Sequence, residues 1–469
     1  MKIEDFRIDW QKELIPHHKP DMIYECINCS HSYKIDQFLY TCPSCKSLLK
    51  IRDLNFDLLK KCPGETWKKI FDQRKLLNIS ALKGIFLFQE LILPIVPLKD
   101  VVYLGEGHTP IVEANEALSA EVGIEFFIKY DGLNPSASFK DRGMASAISF
   151  INYFVNSKGI EQILGICAST GDTSAAAALY LAYLDHTKVK SVVLLPQGKV
   201  TQQQLSQPLG SGATVIEIPG VFDDCMKIVE ELAEKYQVVL LNSKNPIRIN
   251  GQKSFSYEVA QQFDYNSKNL VVIVPVGNAG NITALMEGFI DFYNLGIIDN
   301  LPHIIGVQSF HADPVYRWYK EGIYKPVKVR PSVAQAAMIG DPVSFPKVNK
   351  LVNDHFKDNF SVIEVTEQEI IEWMLNTNRY GHIVCTQGGE TVAALKKAVQ
   401  SGIVKKNDTV VVDSTSHQLK FVDFQTRYFE DAYPDEYEII PNSEMSNAPT
   451  PLPASAREIA RFLKLRERD

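Results

Sequence analysis

The chain has 469 residues, 45% of them hydrophobic and 22% charged, and its formal net charge is −7. This length allows a large core and roughly three domains, and the mild acidity argues against a broad nucleic-acid-binding face. The most apolar window, residues 84–98, is broken by Gln89, Glu90, Pro94 and Pro97 and is shorter than the roughly 20 residues of a membrane span. Because residues 1–11 lack the apolar region of a secretory signal, we expect a cytoplasmic protein with no membrane or nucleic-acid partner.

The first predicted unit is a zinc-ribbon-like module over residues 1–50. Its four cysteines form a Cys-x2-Cys pair, a twelve-residue spacer and a second Cys-x2-Cys pair: Cys26, Cys29, Cys42 and Cys45. This spacing lets two knuckles converge on one tetrahedral metal, and a closed four-thiolate zinc site is structural. Residues 32–40 alternate enough to predict a hairpin. Two disulfides or four unrelated thiols are the alternatives, of which disulfides are disfavoured without an export signal.

The rest of the chain is predicted to alternate strands with amphipathic helices. A connector of mixed helix and loop covers residues 51–99, a first α/β lobe residues 100–236, a second α/β lobe residues 237–440, and a tail residues 441–469. Strands are expected near residues 125–131, 162–170, 191–196, 213–218, 237–242, 270–276, 303–308, 361–366 and 409–415, with helices at 222–236, 251–263, 282–292 and 455–465. This order predicts open, mainly parallel sheets covered by helices, with a ligand cleft between the lobes.

Residues 134–144 place one lysine, Lys140, at a strand-turn-helix junction. Strand 125–131 is followed by a turn and then by a helix with apolar residues at spacings of four, three and four: Met144, Ile148, Ile151 and Val155. An amine held there can be desolvated and can attack an aldehyde, as a Schiff-base lysine does. The alternative is a surface lysine after a polar helix start, with Ser138 as N-cap.

Three further segments follow predicted strands in the same way. Residues 168–176 contain Ser-Thr-Gly-Asp-Thr, residues 274–281 contain Gly-Asn-Ala-Gly-Asn, and residues 411–421 contain Thr-Ser-His-Gln-Leu-Lys. Open α/β sheets bind ligands at the carboxyl ends of their strands, so we expect these segments to meet at one site. A glycine-rich turn that opens a helix presents free N–H groups to a phosphate, although one such loop alone is also typical of an ordinary turn.

Together these four segments resemble the pyridoxal-phosphate enzymes of the tryptophan-synthase β fold (fold type II), and among them the threonine synthases most closely. Residues 103–110 (Tyr-Leu-Gly-Glu-Gly-His-Thr-Pro) and 339–342 (Ile-Gly-Asp-Pro) resemble two further segments of that family, so the resemblance covers nearly the whole chain. It implies two open, mainly parallel α/β lobes of that type and a homodimer. An N-terminal cysteine module also occurs in some threonine synthases.

The resemblance implies how the chain holds its cofactor, pyridoxal 5′-phosphate. Lys140 would be the catalytic residue that carries the aldehyde, Thr415 would face the pyridine nitrogen, and the loop Gly277, Asn278, Ala279, Gly280 and Asn281 would hold the cofactor phosphate. Asp172 stands where many relatives have an asparagine on the cofactor's 3′-hydroxyl, and a carboxylate there repels a phenolate unless one of them is protonated. His417 fits equally well as a base or as a capping side chain.

The substrate is predicted from two groups of residues. Ser169, Thr170 and Thr173 offer hydroxyl and N–H groups at a helix start, which suits a substrate carboxylate, although helix capping explains them as well. In the segment 241–253, Asn242, Ser243 and Arg248 can cradle a second phosphate, since a guanidinium matches phosphate oxygens with paired donors. A solvated basic loop is the alternative. A similar segment in threonine synthases binds the phosphate of O-phosphohomoserine.

We therefore expect a threonine synthase that converts O-phospho-L-homoserine and water to L-threonine and phosphate. The alternatives within fold type II are an enzyme similar to cysteate synthase and a threonine or serine dehydratase. A different class is a catalytically silent relative that binds partners through its cysteine module. The intact Lys140, glycine-rich loops and Thr415 disfavour that reading.

Overall fold

The computed structural model describes residues 1–169, 171–197, 202–220 and 222–466. Within these residues the strands form three sheets, of three, six and four strands. The small sheet is antiparallel and the two larger sheets are mainly parallel. Over the described ranges, no helix combines the length and apolarity that a membrane crossing requires.

The N-terminal module is the small antiparallel sheet. It contains β1 (Met22–Cys26), β2 (Ser32–Lys34) and β3 (Leu49–Asp53) in the order β2-β1-β3, after the helix α1 (Ile8–Leu14). The predicted hairpin over residues 32–40 is wrong, because β2 pairs with the strand that precedes it. β1 and β2 form a hairpin, and the first Cys-x2-Cys loop is its turn. The Cys26 N–H closes this turn by donating to the His31 carbonyl at 2.9 Å.

The connector combines helices and turns, as predicted. It contains α2 (Phe56–Leu59), α3 (Gly64–Arg74) and α4 (Gln89–Ile92). Residues 85–93 are buried throughout, so the most apolar window of the sequence forms part of the core. Its polar residues are accommodated by pairing: the Glu90 carboxylate accepts two hydrogen bonds from the buried Arg74 guanidinium.

The largest sheet has six strands in the order β12-β11-β10-β13-β5-β4. These are β4 (Ile111–Glu113), β5 (Phe127–Tyr130), β10 (Leu270–Pro275), β11 (His303–Ser309), β12 (Phe360–Val365) and β13 (Thr409–Ser414). Only the edge strand β4 runs antiparallel to its neighbour. The central strand β10 is buried at every residue, as a parallel strand covered on both faces must be.

The four-stranded sheet is entirely parallel, in the order β8-β7-β6-β9. Its strands are β6 (Ile163–Ala168), β7 (Val189–Pro196), β8 (Thr214–Ile218) and β9 (Val238–Leu240). The predicted boundary between the two lobes lies at residue 236. The four-stranded sheet includes β9, which follows that boundary, and the six-stranded sheet includes β4 and β5, which precede it. The division of the chain at residues 50, 99, 236 and 440 stays a prediction.

Helices cover both parallel sheets and follow most of their strands. They are α5 (Glu116–Val122), α6 (Lys140–Lys158), α7 (Asp172–Ala182), α8 (Gln202–Gly210), α9 (Phe222–Lys235), α10 (Pro246–Gln252), α11 (Ser254–Gln262), α12 (Gly280–Asn294), α13 (Pro314–Glu321), α14 (Phe345–Leu351), α15 (Glu367–Arg379), α16 (Thr386–Gln400), α17 (Val422–Phe429) and α18 (Ala456–Phe462). The predicted alternation of strands and helices is confirmed.

The helix predicted over residues 251–263 begins earlier and is divided in two. The Asn245 side chain accepts hydrogen bonds from the N–H groups of Ile247 and Arg248, and Pro246 occupies the first turn of α10. An asparagine cap followed by proline is a strong helix start. Residues 246–252 are therefore helical and buried, so the predicted alternative of a solvated basic loop does not hold.

Candidate active site

Four segments that follow β5, β6, β10 and β13 meet at one cavity. The cavity lies where α6, α7 and α12 begin. The predicted site residues that line it are Lys140, Asp172, Ser243, Arg248, Gly277, Asn278, Ala279, Gly280, Asn281 and Thr415. The structure thus brings together most of the side chains that the sequence singled out.

Lys140 is the first residue of α6, and its position is fixed from the neighbouring strand end. The Phe139 N–H donates to the Thr415 carbonyl at 2.8 Å, and the His417 N–H donates to the Ala137 carbonyl at 3.1 Å. The amine lies 4.1 Å from the centre of the Phe139 ring. These contacts hold Lys140 next to Thr415.

Burial and, after it, the positive charge of Arg248 together lower the pKa of Lys140 to about 7, against the opposing effect of Asp172. An ordinary lysine amine is almost entirely protonated at neutral pH. In Lys140 a large fraction of the amine is neutral at that pH. A neutral, positioned amine is the nucleophile that reaction with an aldehyde requires.

The helix that carries Lys140 is anchored in a buried ionic network. Arg142 is fully buried and donates to Asp131 at 2.7 Å and to Glu258 at 2.8 Å. These partners lie at the end of β5 and in α11, so the start of α6 is tied to two neighbouring elements. The predicted Ser138 cap is not formed: no side chain caps α6, and the Ser138 hydroxyl is buried without a partner among the described residues.

α6 and α10 cross in close contact at two glycines. A Cβ on Gly143 would lie 2.7 Å from the Arg248 Cγ, and a Cβ on Gly251 would lie 2.5 Å from the Arg142 carbonyl oxygen. Any larger residue would force the helices apart. This crossing brings Arg248 into the same cavity as Lys140.

Arg248 is a buried cation without a carboxylate partner in the part of the chain that the structure describes. Its side chain is 1% exposed, Nη1 donates to the Leu241 carbonyl at 3.3 Å, and Nε has no partner. Burial lowers its pKa to about 10. A buried guanidinium is normally paired, so the geometry favours an anionic ligand whose oxygens would complete its hydrogen bonds.

The glycine-rich loop 277–281 joins β10 to α12. Ala279 has a left-handed backbone, with φ of +61°, and α12 begins at the next residue. The first N–H groups of a helix lack intrahelical acceptors and stand at the positive end of its dipole. Because the whole loop lines the cavity, it provides a second place for an oxyanion, distinct from Arg248.

Some predicted substrate contacts lie outside the lining of the cavity. Asn242 ties the segment 241–253 to the end of β6, since its Oδ1 accepts from the Ala168 N–H at 3.0 Å and its Nδ2 donates to the Ala168 carbonyl. The Ser169 hydroxyl accepts from the Gly171 N–H at 3.2 Å. Thr173, in the first turn of α7, is not among the lining residues, and Thr170 lies outside the described residues. Their substrate roles stay predictions.

Three polar residues of the site were missed by the sequence analysis. Lys420 lies with its Nζ 2.7 Å from the Asp172 Oδ1. Gln252 and Gln387 line the cavity, each 2% exposed, and the Gln252 Oε1 and both amide atoms of Gln387 have no partner among the described residues. Gln252 could have been found, because it follows Arg248 by four residues on one helix. No sequence signal marks Gln387, which depends on how α16 packs.

The four N-terminal cysteines converge as predicted. Their sulfur atoms all lie within 4.8 Å of one another, and neighbouring sulfurs are 3.4–3.5 Å apart. All four are free cysteines and their sulfurs cluster, so neither alternative, two disulfides or four unrelated thiols, holds. The donor set and spacing fit a closed tetrahedral zinc site, which is structural. The module contacts the lobe through Tyr40, whose hydroxyl accepts from the Leu240 N–H at 2.9 Å on the edge strand β9.

Comparison with known proteins agrees with this geometry. Residues 102–415 match the family model described as pyridoxal-phosphate dependent enzyme. The chain is 36% identical to threonine synthase of Methanocaldococcus jannaschii over 414 residues, which cover 87% of this chain and 96% of that protein. It is 35% identical to the chloroplastic threonine synthase 2 of Arabidopsis thaliana over 405 residues, 85% of this chain and 76% of that protein.

Solved structures show the same fold. The structure of threonine synthase from Escherichia coli superposes with a TM-score of 0.63 at 18% identity and covers 94% of this chain and 99% of its own. That of threonine synthase from yeast superposes with a TM-score of 0.63 at 19% identity and covers 90% of this chain and 93% of its own. At these identities the likeness shows the fold. The predicted fold class, open α/β lobes of the tryptophan-synthase β type, is confirmed.

Proposed function

We propose that this chain, which belongs to the pyridoxal-phosphate dependent enzymes and within them to the threonine synthases, converts O-phospho-L-homoserine and water to L-threonine and phosphate. It is thus a lyase that acts on a carbon–oxygen bond of a small molecule. The observation that carries the choice of substrate is the buried Arg248, which lines the same cavity as Ser243 and Lys140 and meets no carboxylate among the described residues. A dehydratase of an unphosphorylated amino acid has no need of that charge.

The cavity fits pyridoxal phosphate. The loop 277–281 would hold the phosphate through its N–H groups, Lys140 would hold the aldehyde carbon, and Thr415 would face the ring nitrogen. The buried amide of Gln387, which has no partner among the described residues, also favours a polar ligand in this cavity, because an unsatisfied buried amide costs the protein about 1–3 kcal/mol. The loop and Arg248 offer two separate oxyanion sites, as a phosphorylated cofactor with a phosphorylated substrate requires.

When bound, pyridoxal phosphate supplies an electron sink for negative charge that develops on the substrate carbons next to the amino group. The Lys140 amine takes and returns protons at the α- and β-carbons, for which a pKa near 7 is well suited because both protonation states are populated at neutral pH. Thr415 offers a neutral hydroxyl, which cannot protonate a ring nitrogen as a carboxylate would. This environment favours elimination and replacement over transamination.

Arg248 and Ser243 position the substrate's phosphate as the leaving group. The bond between Cγ and the phosphate oxygen breaks, water forms a bond to Cβ, and protons return to Cγ and Cα, so that phosphate and threonine are the only products. A fixed guanidinium stabilises the charge that gathers on the departing phosphate without reorganisation. Because this cation is already buried and unpaired, its interaction with the anion is stronger than it would be in water.

The experiment is incubation of the purified protein and pyridoxal phosphate with O-phospho-L-homoserine, with phosphate and threonine measured together. Equal amounts of both products support the proposal. Formation of ketoacid from threonine, or of cysteate from phosphoserine and sulfite, without threonine from phosphohomoserine would assign one of the alternative functions instead.

Lys140→Ala should abolish turnover and the visible absorbance of the lysine-bound cofactor while the protein remains folded. The matched control is Lys129→Met, which removes a buried lysine that contacts Glu258 rather than the cavity. Lys129→Met should lower the free energy of unfolding, but its folded molecules should keep the visible absorbance of the lysine-bound cofactor. Cofactor-dependent threonine formation by Lys140→Ala would contradict the assignment of this residue.

We also infer a homodimer from the family resemblance, which light scattering of the purified protein tests.

A further inference from the structure

Lys420 connects three segments of the cofactor site. It ends the short turn Gln418–Lys420 that follows β13, and its side chain is largely buried. Its Nζ lies 2.7 Å from the Asp172 Oδ1 and donates to the Ser136 carbonyl at 2.9 Å. One ammonium group therefore joins the start of α7 to the loop that precedes Lys140.

Asp172 lines the cavity together with Lys140 and Thr415. A carboxylate placed toward the phenolic oxygen of a bound cofactor would repel that oxygen if both were ionised. An ammonium group on the far side of the carboxylate offsets its charge and fixes its orientation. The carboxylate can then accept a hydrogen bond from the cofactor's 3′-hydroxyl, a role in which a neutral asparagine would need no charged partner.

We propose that Lys420 is a positioning residue, which holds Asp172 and offsets its charge so that Asp172 accepts a hydrogen bond from the 3′-hydroxyl of bound pyridoxal phosphate. The inference rests on the proposed function, because it requires the cofactor in this cavity. It assigns a role to Lys420 that depends on Asp172. If Lys420 only held its turn to the Ser136 carbonyl, the effect of replacing it would not depend on the residue at position 172.

A double-mutant cycle separates these roles. The affinity for pyridoxal phosphate, measured by fluorescence titration, and the visible absorbance spectrum of the bound form are compared in wild type, Lys420→Met, Asp172→Asn and the double variant. We expect Lys420→Met alone to weaken binding roughly 10- to 100-fold, as expected for loss of a charge-assisted hydrogen bond, and to shift the absorbance band. In the Asp172→Asn background the same substitution should change the affinity less than about threefold, so that the amide rescues the lysine variant.

Two further variants keep the test sharp. Lys420→Arg retains the charge and should bind the cofactor within a few-fold of wild type. Lys396→Met is the matched control, because Lys396 is also a partly buried lysine that donates to a backbone carbonyl, but its partner Glu121, unlike Asp172, does not line the cavity. It should change neither affinity nor spectrum.

The inference is overturned if Lys420→Met weakens binding equally in both backgrounds, or if it leaves affinity and spectrum unchanged. Absence of any cofactor-dependent absorbance in the folded wild-type protein would instead overturn the proposed function. Urea unfolding of each ligand-free variant shows which of them are folded at the titration temperature, and Lys420→Gln, which removes the charge but keeps a hydrogen-bond donor, takes the place of Lys420→Met in the cycle if Lys420→Met is not.

Discussion

Replacing Arg248 by methionine should stabilise the ligand-free protein and at the same time remove its use of the phosphorylated substrate. Methionine has a similar length and keeps the apolar part of the side chain, but it removes the buried charge. Most substitutions of a buried residue destabilise a protein. Opposite effects on stability and activity are therefore a sharp test of the claim that this cation is kept unpaired for a ligand.

The gain in stability follows from the pKa of Arg248, which burial lowers to about 10. A basic group with a lower pKa in the folded than in the unfolded state destabilises the fold while it is charged, and the cost is complete at pH 7, below both values. Since each unit of pKa corresponds to about 1.4 kcal/mol, the cost is roughly 3 kcal/mol. The substitution also removes the long hydrogen bond to the Leu241 carbonyl, which reduces the gain in stability by about 1 kcal/mol. We expect a net gain of about 2 kcal/mol.

The loss of activity follows from the bonds that the guanidinium would make to the substrate. Two charge-assisted hydrogen bonds of about 1.5–3 kcal/mol each correspond to a fall in kcat/KM of roughly 10² to 10⁴. The cofactor should still bind, because its phosphate would be held by the loop 277–281. Its visible absorbance should therefore be retained.

The stability measurement is urea unfolding of the ligand-free protein in a buffer free of phosphate and sulfate. Added inorganic phosphate should raise the midpoint of wild type more than that of the variant, because the variant keeps only the oxyanion site of the loop 277–281. Arg74→Met is the matched control: Arg74 is equally buried but pairs with Glu90, so its loss should cost about 3–5 kcal/mol. A variant at position 248 that is less stable than wild type, or that responds equally to phosphate, refutes the reasoning.

Three further predictions follow from the site. Capture of pyridoxal phosphate by the cofactor-free protein should quicken as pH rises through about 7, because the neutral form of Lys140 reacts; stopped-flow absorbance checks this, and a midpoint near that of free lysine contradicts it. Gln387→Leu should weaken cofactor binding roughly 3- to 10-fold and stabilise the ligand-free protein by about 1 kcal/mol, measured by titration and urea unfolding. Cys45→Ser should reduce zinc to well below one per chain by atomic absorption and lower the unfolding midpoint; unchanged metal content contradicts the site.

Much of the fold could be predicted because parallel strands and their helices have strong local patterns. The runs at β6 and β10 are apolar along their whole length and β13 is apolar at residues 410–412, as strands covered on both faces require, and each is followed by small or polar residues that line the site. The rule that ligands bind at carboxyl ends of strands then placed the segments around Lys140 and 277–281 together.

The errors lie where tertiary contacts decide local structure. The alternation at residues 32–40 predicts a complete hairpin, yet the loop between Cys26 and Cys29 is the turn, and the second strand is only three residues long. Sheet membership was also hidden, because β9 pairs with β6 across more than 70 residues of sequence. Neither pairing leaves a periodic signal.

The pairing of buried charges cannot be predicted from the sequence, and in this protein it distinguishes structural from ligand-binding residues. Arg74, Arg142 and Arg248 are all completely buried, but the first two pair with carboxylates, whereas Arg248 lines the cavity and pairs with no carboxylate among the described residues. Asp172 shows the complementary case, since Lys420 offsets its charge from a distant part of the chain. Because a buried charge is costly unless it is balanced, a guanidinium that lines the cavity and meets no carboxylate among the described residues indicates the charge of the ligand. Here that charge is negative, and it lies beside the amine that would hold the cofactor.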